Sequence, residues 1–242
     1  MKKVKIISIY LLSLLAGLLT GVGAIITIAI RNPSNKLLSF SLGFAAGIML
    51  GISTLSMIPE SIALGGVYPC IAGFICGAGF LALLDIILPH IHKNEAKYDE
   101  YMKMGYFIAI GIAVHNLPEG IAIGVSSEVS VELGLYTAVS IGIHNIAEGL
   151  SVAMPLSLSH ALERGKIIFI TTITGLATFF GTMIGTSLAT VSSVFISASF
   201  SFAAGAMIYI TSDELIPRSH ARHSHYANMG IVSGILLSLL LT

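Results

Sequence analysis

The chain has 242 residues, 55% of them hydrophobic and only 10% charged, with a mean hydropathy of +0.93. A soluble domain carries about 25% charged residues, so too little polar material is present to coat a globule in water, and the expected solvent is the lipid bilayer. Twelve basic and twelve acidic residues cancel, which argues against nucleic acid or any other polyanion as a partner.

Polar breaks divide the chain into eight apolar segments, each close to the ~20 residues that carry a helix across a bilayer. The first, 5–30, follows Lys2 and Lys3 and opens on Lys5. It starts like a secretory leader but runs on to Ile30 without a clear small-residue cleavage site, so a retained helix is expected. The second, 37–60, contains Phe44-Ala45-Ala46-Gly47-Ile48-Met49 and closes on Ile58-Pro59-Glu60-Ser61. The third, 67–90, carries both cysteines, Cys70 and Cys76, whose spacing places them on different helix faces and argues against a disulfide. The fourth, 103–126, contains His115-Asn116-Leu117-Pro118-Glu119-Gly120, and the fifth, 132–158, contains His144-Asn145-Ile146-Ala147-Glu148-Gly149. The sixth, 165–190, holds Gly175-Leu176-Ala177-Thr178. The seventh, 194–217, contains Phe202-Ala203-Ala204-Gly205-Ala206-Met207 and closes on Ile216-Pro217-Arg218-Ser219; the eighth is 227–242. The breaks are too short for a soluble domain, and irregular backbone would leave polar groups unpaired in lipid. The expected fold is therefore all-α: an integral membrane bundle of eight helices, one transmembrane domain over residues 1–242. The pairs Gly17/Gly21, Gly43/Gly47, Gly73/Gly77 and Gly181/Gly185 suit close helix contact.

The breaks after segments one, three, five and seven hold Arg31, Lys36, Lys93, Lys97, Lys103, Arg164, Lys166, Arg218 and Arg222, against Lys2, Lys3 and Lys5 on the opposite side. Cytoplasmic loops carry the excess of basic residues, so both termini are expected outside a cell membrane that the chain crosses many times. The FAAGIM–IPES and FAAGAM–IPRS stretches are 158 residues apart throughout, with no gap. On this topology their segments run in opposite directions. Segments one to three and six to eight then read as inverted repeats flanking a central fourth and fifth pair, as in transporters with a site at mid-membrane.

The chemistry lies in that central pair. Residues i and i+4 share a helix face, so His115 lies over Glu119 and His144 over Glu148, flanked by Asn116 and Asn145. A charge near the bilayer centre costs about 2.5–3.5 kcal/mol on insertion scales, and two neighbouring carboxylates repel. A divalent cation offsets both effects by neutralising the acids and accepting imidazole lone pairs. Pro118 adds to this, since a proline inside a helix frees a carbonyl and bends the axis; the second motif has Ala147 there, so one central helix alone is expected to bend this way. An interhelical hydrogen-bond network without an ion is the plainer alternative, but a matched duplication of two imidazoles and two carboxylates exceeds what packing needs.

Together HNLPEG, HNIAEG, the FAAGIM and FAAGAM helices and the eight-span plan resemble the ZIP (Zrt/Irt-like) family of divalent metal transporters in its compact prokaryotic form, over nearly the whole chain. The resemblance implies an eight-helix bundle with both termini outside. It implies import of zinc, or of iron, manganese or cadmium, toward the cytoplasm by a secondary, ATP-independent transporter rather than an enzyme. It also implies a binuclear site between the fourth and fifth segments. One ion would take His115, Glu119, His144 and Glu148, with Met49 as a soft fifth contact; the other would take Asn116, Glu119, Asn145 and Glu148, the glutamates bridging. Family members of this type often place a glutamate where this chain has Thr178, and aspartate can stand where Asn145 does, so the second site is short of negative charge. Asp85, His90, His92 and Glu214 are the exit ligands that the resemblance suggests at the cytoplasmic mouth, beside the plainer reading of solvated helix ends. The metal is cargo and no resident cofactor is expected. The partners are the ion and the lipid bilayer, with a homodimer left open.

Imidazole and carboxylate suit Zn²⁺, Fe²⁺ and Mn²⁺, and a thioether adds tolerance for Cd²⁺. The rival class is an intramembrane metal-dependent hydrolase. That chemistry uses HExxH, which keeps a general base beside two ligands, whereas HNxxE puts asparagine at that position.

Overall fold

The computed structural model of the chain describes residues 2–30, 33–92, 100–188 and 192–241, with the backbone alone for 2–7, 88–92 and Val129. Among the described residues there are helices and no strand: α1 (Lys2–Ala29), α2 (Asn35–Ile52), α3 (Ile58–Gly65), α4 (Val67–His92), α5 (Glu100–Val129), α6 (Val131–Leu158), α7 (Arg164–Leu188), α8 (Ser193–Ile210), α9 (Ile216–His220) and α10 (Ser224–Leu241). Seven runs are long and apolar enough to cross a membrane, counting α2 with α3 and α8 with α9 as single spans. The 28-residue α6 is as long but falls outside that group, because His144, Asn145 and Glu148 lower its hydropathy. Large apolar side chains such as Leu15, Phe169, Phe180, Leu236 and Leu240 face outward, the surface of a multi-pass membrane protein.

Two joints explain why segments two and seven outlast their predicted ends. α2 passes through a π-helical turn, Ser53–Met57, into α3, and α8 passes through Thr211–Leu215 into α9. Pro59 and Pro217 stand near the start of α3 and α9. Each lacks an N–H, and its ring would strike the carbonyl four residues back; one extra residue in the turn relieves the clash. The starts of α2, its π turn and α3 (35, 53, 58) and those of α8, its π turn and α9 (193, 211, 216) differ by 158 each time.

The helices pack as two bundles. In one, α1, α5, α6 and α7 lie together; in the other, α2 packs on α10 and α9, and α8 on α4 and α3. The bundles meet along α5–α8 and α2–α6. Within each bundle the helices touch backbone to backbone. A Cβ on Gly17 or Gly175 would run into the other's carbonyl oxygen, and Gly43 and Gly47 lie as tightly on Ala227 and Ile231 of α10. Gly73 and Gly77 press on α8, and Gly181 and Gly185 on α5, while Gly21 faces the side chain of Thr172. Lipid supplies no hydrophobic drive between helices, so this close approach is what holds them. Across the boundary the filling is side chain, with Met49, Ile108, Ile112, Met207 and Ile210 in one buried cluster. The cysteines are free, Cys70 buried and Cys76 exposed.

Candidate metal centre

Ser130 is the single residue between α5 and α6. Its extended backbone turns the chain, and its side chain caps α6 by accepting from Leu133 N. The helices therefore run antiparallel, and residue 115 falls opposite 148 while 119 falls opposite 144. His115 Nε2 lies 2.7 Å from Glu148 Oε1, and His144 Nε2 lies 3.0 Å from Glu119 Oε1. Within α6 itself, His144 Nε2 is 3.9 Å from Glu148 Oε1. The shared face expected from i, i+4 spacing is present, but each imidazole makes its close contact with the carboxylate of the other helix. All four side chains are at most 1% exposed. Ligand atoms of His115, Glu119 and Glu148 lie within 4.8 Å of one another.

These distances describe a hydrogen-bonded cluster that an ion would open slightly. Two ligands about 2.0–2.1 Å from a tetrahedral Zn²⁺ are roughly 3.3 Å apart, so an ion between His115 and Glu148 would replace their hydrogen bond and part the pair by about half an ångström. The remaining oxygens are ready for a further partner, since Oε2 of both Glu119 and Glu148 is buried with none among the described residues. The asparagines are braced outward: Asn116 Nδ2 donates to Thr174 O of α7 at 3.3 Å, and Asn145 Nδ2 donates to Ala16 O of α1 at 3.0 Å. Each Oδ1 is thereby left as a buried acceptor without a partner among the described residues. Thr178 is also fully buried, with its Oγ1 in the same state.

Met49 is fully buried, and its Sδ accepts from Thr211 Oγ1 at 3.9 Å. Its counterpart Met207 accepts from Ser53 Oγ at 3.6 Å, so the two FAAGxM helices exchange sulfur contacts with each other's π turn. Sequence reasoning passed over this pair, although the 158-residue offset relates both partners. α6 also contains an interior proline, Pro155, outside its HNIAEG motif, whereas Pro118 of α5 lies within HNLPEG.

A cavity bounded by Ser56, Met57, Tyr136, Thr137, Ser140 and Phe200 reaches Glu119 and His144 from the end of the molecule where α5 turns into α6. At the opposite end, where α5 begins, Asp85 is half-buried, Asp213 exposed and Glu214 buried. Glu214 contacts Arg218 Nε at 3.3 Å. Neither Asp85 nor Glu214 joins the His–Glu cluster, and the side chains of His90 and His92 lie outside the described residues.

The family description that matches is "ZIP Zinc transporter", over residues 88–242. Among related proteins, Zinc transporter ZupT of Escherichia fergusonii is 37% identical over 218 residues, covering 86% of this chain and 84% of the relative. Zinc transporter ZupT of Streptococcus mutans is 32% identical over 249 residues, covering 94% of each. With that agreement along nearly its full length, the chain belongs to the ZIP family.

Proposed function

We propose that the chain moves divalent metal cations, zinc first, across the cell membrane into the cytoplasm without ATP. The observation that carries this reading is the buried, cross-paired cluster of two imidazoles and two carboxylates on α5 and α6, each carboxylate keeping one oxygen without a partner among the described residues, in a chain related to proteins named zinc transporters. One ion takes His115, Glu119, His144 and Glu148, with Met49 as a soft contact; a second, weaker position lies toward Asn116 and Asn145. Asp85, His90, His92 and Glu214 serve the exit. The hydrolase alternative finds no support in the family description, and Asn116 occupies the place of its general base.

In this reading α6 is the eighth span, its polar cluster shielded from lipid by the helices around it. The repeat offset makes α1 the inverted mate of α7, α2–α3 of α8–α9, and α4 of α10. Both termini lie outside, the cavity to Glu119 and His144 opens outward, and the whole chain forms one transmembrane domain. Every proposed ligand comes from one chain, so a homodimer would carry two complete sites.

The test is zinc flux into proteoliposomes by the parent, His115→Ala and Glu119→Ala. The parent should take up Zn²⁺ or Cd²⁺, and each variant should lose at least about tenfold while eluting as folded protein. Uptake at the parent rate in both variants would overturn the site assignment.

A further inference from the structure

The two ends of the molecule are closed differently. Toward the turn between α5 and α6, Ser56 and Met57 of the first π turn border the cavity that reaches Glu119 and His144. At the other end the second π turn carries Glu214, and Arg218 follows one turn later on α9. Arg218 donates Nη1–H to Glu100 Oε1 at 2.9 Å and sets Nε 3.3 Å from Glu214 Oε1. Arg222 Nη2 adds a contact to Glu100 Oε2 at 3.9 Å, and its guanidinium lies 5.3 Å from the centre of the Tyr101 ring.

Two features make this more than a solvated helix end. Glu100 and Tyr101 open α5, the helix that carries His115 and Glu119, whereas Glu214, Arg218 and Arg222 belong to the other bundle. The contacts of Arg218 and Arg222 to Glu100 and Tyr101 therefore span the boundary between the bundles, while the Arg218–Glu214 pair lies within one of them. The sequence repeat also breaks here: at the 158-residue offset, Ser56 and Glu60 of the first copy correspond to Glu214 and Arg218 of the second. Within an otherwise matched IPxS joint, one half carries a carboxylate–guanidinium pair and the other does not.

We infer that Arg218 is a latch on this end of the molecule, a tethered cation that holds the second π turn against the start of α5 and releases when the cargo path opens there. Its two arms suit the task. Glu214 is buried with a side chain 10% exposed, so its contact is little screened; Glu100 is 63% exposed, so that arm is weak and breaks readily. A latch that opens in every cycle must be of this strength. The inference rests on the transport reading for its purpose, but closure itself is measurable without metal.

The reporter is Ser219→Cys, a fully buried position beside Arg218, in full-length, metal-free protein in detergent with Cys70 and Cys76 replaced by serine. Its rate of labelling by a charged maleimide reads the opening of this end. Arg218→Gln should speed labelling about three- to tenfold, Arg218→Lys should stay near the parent, and Glu100→Gln, which removes the carboxylate that Arg218 and Arg222 both contact, should give a rise of the same order. The inference is overturned if Arg218→Gln and Glu100→Gln both label at the parent rate, or if Arg218→Lys labels as fast as Arg218→Gln. Should Arg218→Gln fail to elute as folded protein, Glu100→Gln decides. A parent that labels as expected but moves no zinc refutes the transport reading and leaves the latch standing.

Discussion

Each carboxylate of the central cluster spends one oxygen on an imidazole from the opposite helix and keeps the other, Oε2, without a partner among the described residues. An unmet buried acceptor costs about 1–3 kcal/mol, and in the proposed function a cation at this point would meet it. The same reasoning makes Thr178 informative. Its hydroxyl is buried with no partner among the described residues, and Asn116 and Asn145 present neutral oxygens, so the second position we propose is short of the charge that would hold a divalent ion. Thr178→Glu should raise bound zinc from one toward two ions per chain, read by equilibrium dialysis with elemental analysis. The metal-free form should melt earlier, since an unpaired carboxylate there costs roughly 3 kcal/mol. Unchanged stoichiometry would count against this account of Thr178. The joint burial of His115, Asn116, Glu119 and their counterparts was legible from spacing on one helix. The cross-pairing was not, because that spacing is silent on the register of a neighbour. Nor were the anchors at Thr174 O and Ala16 O, since backbone carbonyls carry no residue signature.

Helix contacts follow a similar division between what the chain announces and what it conceals. Small residues four apart mark where backbones can touch, and the four glycine pairs read from sequence all lie on a neighbouring helix. The π turns left no hydropathy signal, as an extra residue per turn changes no side chain's polarity; Pro59 and Pro217 were their trace. The close contacts predict an asymmetric response to added bulk. Gly17→Val pushes side-chain atoms into the Gly175 carbonyl between α1 and α7 and should cost ~1–3 kcal/mol or more, seen as a lower thermal midpoint in detergent. Gly79→Ala, at an exposed position where a Cβ meets nothing within 4 Å, should melt as the parent does or slightly later, alanine being the better helix former. Equal midpoints for Gly17→Val and the parent would show that the α1–α7 contact is not what binds this bundle.

At the scale of the molecule, the glycine contacts lie within the two bundles, while the boundary between them is filled by side chains; among the described glycines, Gly111 faces across it and meets the side chain of Ile210. Interdigitated backbones resist sliding, whereas an aliphatic surface with few polar links permits it, so relative motion of the bundles should concentrate at the boundary. The 158-residue offset between α2 and α8 was plain in the sequence, but this partition was not: α1 packs with α7 in one bundle, and α2 and α8 both lie in the other. Polar links across the boundary sit at its two ends, Tyr101 Oη to Asn35 Oδ1 at 3.5 Å at one and Tyr136 Oη to Leu241 O at 3.2 Å at the other. Alternating exposure of the His–Glu cluster then requires one end to part as the other closes. Cysteines at Asn35 and Tyr101, joined by a short cleavable bifunctional thiol reagent in a chain lacking Cys70 and Cys76, should cut zinc flux by more than about tenfold, and reductant should restore it. Cysteines at Tyr10 and Thr186, whose hydroxyls lie 2.9 Å apart between α1 and α7 of one bundle, provide the matched link that should leave flux intact. Zinc binding should survive both links, because each leaves the cluster untouched. Full flux through a fully linked Asn35–Tyr101 pair would mean that the ion passes without the bundles moving, and the boundary would then be structural packing alone.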